Sequence, residues 1–120
     1  MGKKICLLED DQGIKDIIEL LLTEEEYEVN GFSNVKDFMA FGDKSSQNLY
    51  LLDVKLPDGN GIEVCEMLKR NVDTKNIPVM MMSAHAALSE MKNQCRAEDF
   101  IAKPFDIFDL LKRVGQFVNP

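Results

Sequence analysis

The sequence has one histidine, three cysteines and no cluster of basic residues, and each shortage removes a class of function. A single histidine, His85, cannot assemble a multi-histidine metal centre. Cys6, Cys65 and Cys95 are odd in number, widely spaced and without a CxxC pair. They read as reduced core or near-core thiols, in keeping with a cytoplasmic address rather than a disulfide framework. Lysine and arginine total 14 against 21 acids, a net charge of −7. No stretch gathers the bases into a patch that tracks phosphates, so direct nucleic-acid binding is not expected. The longest apolar stretches, such as Val79–Met82, fall far short of the ~20 residues a bilayer helix needs, and no membrane role is expected. Met1-Gly2-Lys3-Lys4-Ile5 lacks the apolar run and cleavage site of a secretory signal.

What is present is an ordinary globular composition: 120 residues, 45% hydrophobic and 29% charged, enough for one core and one domain over residues 1–120. Lys4–Leu8 is a short apolar run that stops at Glu9-Asp10-Asp11. Ile14, Ile17, Ile18, Leu21 and Leu22 then recur with the spacing of an amphipathic helix, which Asp11 is placed to cap. A weaker strand is expected over Tyr27–Phe32, a short helix over Val35–Phe41 and a polar turn over Gly42–Asn48. Leu49–Leu52 reads as a buried strand ending on Asp53. Lys55–Gly61 reads as a loop rich in turn formers, before a helix to about Arg70. Strands over Ile77–Met82 and Asp99–Ala102 and helices over Ala87–Arg96 and Phe105–Phe117 complete the pattern. Strand and helix alternate five times. The strands are continuously apolar, so the sheet is expected to be parallel and covered on both faces, a doubly wound (βα)5 α/β fold.

In such a fold ligands sit at the carboxyl ends of the strands. Four strands end in polar groups: Glu9-Asp10, Asp53, Ser83 and Lys103. Three carboxylates gathered on one rim repel, and the single lysine does not neutralise them. Oxygen ligands supplemented by water suit a hard octahedral cation such as Mg²⁺. A carboxylate beside such an ion, a lysine and a hydroxyl is also a phosphoryl acceptor. Asp53 can attack phosphorus as a nucleophile, with Lys103 and the metal neutralising the transferring group. Plainer readings stand beside these: Glu9 and Asp10 as helix-capping acids, Ser83 as a loop start, Lys103 as a solvated lysine, Phe100 as a core aromatic.

The residues Leu7-Leu8-Glu9-Asp10-Asp11, Leu51-Leu52-Asp53-Val54-Lys55-Leu56-Pro57-Asp58-Gly59-Asn60-Gly61, Pro78 to Ser83-Ala84, and Phe100-Ile101-Ala102-Lys103-Pro104-Phe105 occur in this order over nearly the whole chain. Together they resemble the receiver domain of two-component response regulators. The resemblance implies a flavodoxin-like, chemotaxis-regulator-like fold with strand order 2-1-3-4-5. It implies that Asp53 is the phosphoacceptor, that Asp10 and Glu9 bind Mg²⁺ with Asp53, and that the backbone carbonyl of Lys55 completes the metal site. Ser83 and Phe100 match the switch hydroxyl and aromatic, and Lys103 the site lysine, with a cis bond to Pro104. Lys55 and His85 occupy positions that in relatives tune the lifetime of the phosphoryl group. Gln47-Asn48-Leu49, Arg96-Ala97 and Phe100 in place of tyrosine depart from the family's usual pattern, and only the last bears on output.

The function implied is a phosphorylation-controlled signalling switch. A sensor histidine kinase or histidine phosphotransfer protein would supply the phosphoryl group. The surface of the fourth helix, fifth strand and fifth helix would change, for a downstream protein target, an effector domain or a homodimer. Lys92, Arg96, Asp109, Lys112 and Arg113 fall on the fourth and fifth helices. The chain would then be no enzyme beyond its own phosphorylation and slow dephosphorylation. Two alternatives are an Mg²⁺-dependent aspartyl-phosphate phosphatase and a phosphate-independent pseudo-receiver. The first wants a second acid where Lys55 stands. The second is at odds with an intact acid pair, acceptor, hydroxyl and lysine. A serine hydrolase built on Ser83 and His85 lacks the Gly-x-Ser-x-Gly elbow.

Overall fold

The computed structural model describes residues 2–84 and 94–119. Five strands, β1 (Lys4–Leu8), β2 (Glu28–Phe32), β3 (Leu49–Asp53), β6 (Val79–Ala84) and β7 (Asp99–Lys103), form one sheet in the order β2-β1-β3-β6-β7. Every pairing in that sheet is parallel, so the order is the expected 2-1-3-4-5 once a small hairpin is set aside. That hairpin pairs β4 (Lys55–Leu56) with β5 (Gly59–Asn60) in antiparallel fashion. The described helices are α1 (Gln12–Glu24), α2 (Val35–Ala40), α3 (Gly61–Arg70) and α4 (Ile107–Val118), with one 3₁₀ turn at Lys44–Ser46. None of them is long and apolar enough to cross a membrane.

The continuous apolar strands are explained by a core on each side of the sheet. Ile5, Leu7, Leu49, Leu51, Met80 and Met82 face α1 and α4, meeting Ile18, Leu22, Leu110 and Val114. Their neighbours Cys6, Leu8, Tyr50, Leu52, Val79 and Met81 face the other way, toward Phe38 of α2 and Val64, Cys65 and Leu68 of α3. Successive strand residues point to opposite faces, so a run with no polar member satisfies both layers. The three cysteines are free and buried.

Several boundaries differ from expectation for local reasons. Asp106 accepts hydrogen bonds from the N–H groups of Phe108 and Asp109, so the last helix starts at Ile107 rather than Phe105. Pro78 has no N–H for a ladder, and β6 begins at Val79, two residues later than read. Glu26 adopts a left-handed φ of 67° and the Tyr27 N–H turns back to the Leu22 carbonyl, which delays β2 to Glu28. Lys55–Gly61, expected as a loop, holds the β4–β5 hairpin instead, its turn made by Pro57 and Asp58. The helix expected over Ala87–Arg96 falls largely on residues 85–93, outside those described, as do His85 and Lys92. Cys95, Arg96 and Ala97 are described and are not helical.

Candidate functional site

The rim of the sheet is assembled by register. Asp53 pairs with Met82, and Ala84 with Lys103, so the ends of β3, β6 and β7 lie side by side. Glu9 follows β1 directly, and its N–H donates to the Phe32 carbonyl at 3.0 Å, which holds the chain in line for one residue past the strand. The three consecutive acids then separate in role. Asp11 caps α1, its Oδ1 accepting from the Ile14 N–H at 3.0 Å. The Glu9 carboxylate turns inward and is fully buried. Its Oε2 accepts from the Asp11 N–H at 3.0 Å. Capping therefore falls to Asp11, and Glu9 and Asp10 are left to the rim.

Asp53 is 6% exposed. Its Oδ1 accepts from the Val54 N–H at 2.8 Å, and its Oδ2 accepts from Lys103 Nζ at 3.1 Å. The same ammonium donates to Glu9 Oε1 at 2.6 Å. Glu9, Asp10 and Asp53 each offer a carboxylate oxygen within 4.8 Å of the other two. Behind Asp53, the Gly61 N–H donates to the Val54 carbonyl at 2.8 Å. A Cβ at Gly61 would stand 1.8 Å from the Asp53 carbonyl oxygen, so only glycine lets α3 start this close to Asp53. The cleft above these groups measures about 610 Å³ and is also lined by Lys55, Ser83 and Ala84.

Its electrostatics are those of an anionic pocket short of cations. Burial pushes the Glu9 carboxyl up to about 7. Hydrogen bonds from Lys103 and the Asp11 N–H pull the other way, and the Asp53 charge adds to the rise. Burial also opposes the charge on Lys103, but its hydrogen bonds to Glu9 and Asp53 outweigh that and hold it above an ordinary lysine. The two shifts have different causes: Glu9 keeps its proton chiefly because it is buried, with the Asp53 charge a smaller contribution, and Lys103 keeps its own because it faces two carboxylates. An all-oxygen donor set of this kind fits a hard divalent cation.

Ser83 lies on the same rim, 4% exposed, with its Oγ donating to the Ala84 carbonyl at 3.3 Å. Phe100 is half-buried against the α2–α3 side of the sheet. The Lys55 side chain is exposed. The Lys103–Pro104 peptide bond is cis, as expected. Arg113 of α4 donates to Asp99 and to the Phe100 carbonyl at 3.0 Å, and Arg96 is engaged by Glu66.

Two polar arrangements escaped the sequence reading. Lys69 Nζ is buried and donates to both Glu98 carboxylate oxygens, at 2.8 and 2.7 Å, and to the Ile77 carbonyl at 2.9 Å. Its spacing was the available signal, since it follows Cys65 by four residues on the apolar face of α3. The second is Asp58, whose Oδ1 and Oδ2 accept from the N–H groups of Val35 and Lys36 at 2.8 and 2.9 Å. No local pattern announces a partner 23 residues away.

The family model described as "Response regulator receiver domain" matches residues 5–115. The response regulator ArlR of Staphylococcus saprophyticus is 34% identical over 92% of this chain and 50% of its own length. The regulatory protein VanRB of Enterococcus faecalis is 34% identical over 95% of this chain and 51% of its own. The chain thus spans about half the length of the curated relatives it matches. Among solved structures, the non-phosphorylated HemR receiver domain of Leptospira biflexa superposes with a TM-score of 0.87 at 27% identity, covering 99% of this chain and 96% of that one. The BeF3-activated DrrB receiver domain has a TM-score of 0.85 at 28% identity over the full length of both chains; DrrB comes from Thermotoga maritima.

Proposed function

Since the chain belongs to the response regulator receiver domain family, and so to the phosphorylation-controlled switches of two-component systems, we propose that Asp53 is its phosphoacceptor. The donor is the phosphohistidine of a sensor histidine kinase or histidine phosphotransfer protein, and the setting is the cytoplasm. One observation carries the reading. A nearly buried aspartate shares its lysine with Glu9 and stands within 4.8 Å of the Glu9 and Asp10 carboxylates.

Asp53 Oδ attacks phosphorus, the P–N bond to the donor imidazole breaks, and the electron pair leaves with the imidazole nitrogen. Lys103, fixed between Glu9 and Asp53, holds positive charge where the equatorial oxygens of the transferring group develop theirs. Asp10, Asp53, the Lys55 carbonyl and Glu9 through water would hold Mg²⁺, which supplies further charge neutralisation to that group. Ser83 Oγ exchanges the Ala84 carbonyl for the new phosphoryl oxygens, and Phe100 turns inward into the space this frees. The dianionic group binds Ser83 and Lys103 better in one of two arrangements, and phosphorylation shifts the population between them. The output is the face formed by the segment before β7, β7 itself and α4. It serves a downstream protein target, an effector domain or a second copy of the chain. Lys55 and His85 tune the lifetime of the phosphoryl group.

Intact-mass measurement with acetyl phosphate and Mg²⁺ tests the assignment. The protein is expected to gain about 80 Da, the mass of one phosphoryl group, and Asp53→Asn to gain nothing. An undiminished adduct in Asp53→Asn, or no adduct on the native chain, would overturn it.

A further inference from the structure

The hairpin that follows Asp53 is held from both sides, and the hold on its outer side has no part in the phosphoacceptor chemistry above. Toward α3, Asn60 Oδ1 caps the helix by accepting from the Ile62 N–H at 2.7 Å, and Gly61 sits against the Asp53 carbonyl. Toward α2, the Asp58 carboxylate spans the Val35 and Lys36 N–H groups at 2.8 and 2.9 Å. Beside it, Gly59 is so close to α2 that a Cβ there would approach Val35 Cγ2 to 2.9 Å. These backbone hydrogen bonds hold the Asp58 carboxyl below the usual carboxylate value, in its charged form. Between the two holds lies Lys55, paired with Asn60 across the hairpin and lining the acidic cleft.

We propose that Asp58 is a positioning residue for the cation site. By fastening the tip of the β4–β5 hairpin to the start of α2, it fixes the backbone of Lys55 beside Glu9, Asp10 and Asp53. This rests on the reading of Lys55 as a backbone ligand. The geometry supports a purely mechanical role, since Asp58 lies three residues past Lys55 and its carboxylate faces α2. The Lys55 carbonyl is the one proposed ligand carried by a two-residue strand rather than by the sheet. A backbone ligand cannot be re-aimed by a side-chain rotamer and depends on what anchors its segment. Groups that orient metal ligands without touching the metal typically matter about 10–100-fold in affinity.

The test is Mg²⁺ affinity by isothermal titration calorimetry on the native chain, Asp58→Ala and Asp58→Asn, with urea stability of each in EDTA. Asp58→Ala is expected to bind Mg²⁺ about 10-fold more weakly while remaining folded in EDTA. Asp58→Asn keeps one acceptor oxygen for the α2 N–H groups and is expected to recover part of that loss. Equal affinity in Asp58→Ala and the native chain overturns the inference and leaves the metal site standing. Equal losses in Asn and Ala assign the effect to charge at a distance and overturn it as well. A native chain that binds no Mg²⁺, or Asp10→Ala that binds as well as native, removes the metal reading and the inference with it. An Asp58→Ala chain unfolded in EDTA is replaced by Gly59→Ala, which presses on Val35 from the same hairpin and is expected to weaken Mg²⁺ likewise; native affinity there overturns the proposal.

Discussion

Replacing Asp10 by asparagine is expected to stabilise the metal-free protein and to cancel its response to Mg²⁺. The side chain is exposed and accepts no hydrogen bond from the described residues, so the substitution removes charge and little else. Its carboxylate has two like-charged neighbours, Glu9 and Asp53, within 4.8 Å. At that separation each repulsion is worth about 3.5 kcal/mol at an effective dielectric of 20 and below about 1 kcal/mol in bulk water. Exposure places Asp10 near the aqueous end, and Lys103, bonded to both neighbours, offsets one of the two charges, for a net of about 1 kcal/mol. For a chain of this size that is roughly 4 °C in melting temperature. Mg²⁺ is expected to reverse the order, because binding at ten times the dissociation constant contributes about 1.4 kcal/mol to the native chain, and the variant lacks one of the proposed ligands. Thermal melts of both proteins in EDTA and in millimolar Mg²⁺ read all four states. A variant that melts below the native chain in EDTA, or that gains as much from Mg²⁺, refutes the reasoning.

Two further predictions concern groups away from the rim. In the Lys69–Glu98 pair the lysine side chain is 5% exposed and the glutamate 40%, so removing the acid strands a buried ammonium while removing the base leaves a half-solvated carboxylate. Glu98→Gln should cost about 3 kcal/mol and Lys69→Met about 1–2 kcal/mol in urea unfolding, both order-of-magnitude figures, and the opposite ranking would contradict the burial argument. Burial pushes the Cys6 and Cys65 thiols up to about 12 from 9.0. At about pH 8 their thiolate fraction falls roughly 1,000-fold, and iodoacetamide should label them only through unfolding. Between the two values the folded chain keeps protons that the unfolded chain releases, so stability should fall as pH rises above about 9; prompt native-state labelling of either thiol, or a flat alkaline stability profile, would count against it.

The contrast between what could and could not be read along the chain follows from how far each interaction reaches. Glu9 directly follows β1, Asp53 and Lys103 are the last residues of β3 and β7, and Ser83 is the last but one of β6. In a parallel sheet all strand ends of one sense share a rim, so four separate local signals fall on one place without any knowledge of register. The division of labour within Glu9-Asp10-Asp11 was legible as far as the cap, since Asp11 stands just before the apolar stripe and does accept from the Ile14 N–H; the inward turn of Glu9, set by the Asp11 N–H and by Lys103, was not. Asp58 was invisible for a stronger reason, since its partner lies 23 residues away. Lys69 left one local trace, its place four residues after Cys65 on the apolar face of α3, but its partner Glu98 lies 29 residues away and has no local signature. The hairpin at Lys55–Asn60 belongs to the same category. Pro57, Asp58 and Gly59 announce a turn, but a pairing of two residues per strand is marginal by itself, and here Asp58 and Gly61 fasten it to α2 and to the Val54 carbonyl. The elements that fasten the segment around Asp53 are therefore written in contacts between distant segments, whereas the groups gathered on the rim are written in the places where the strands end.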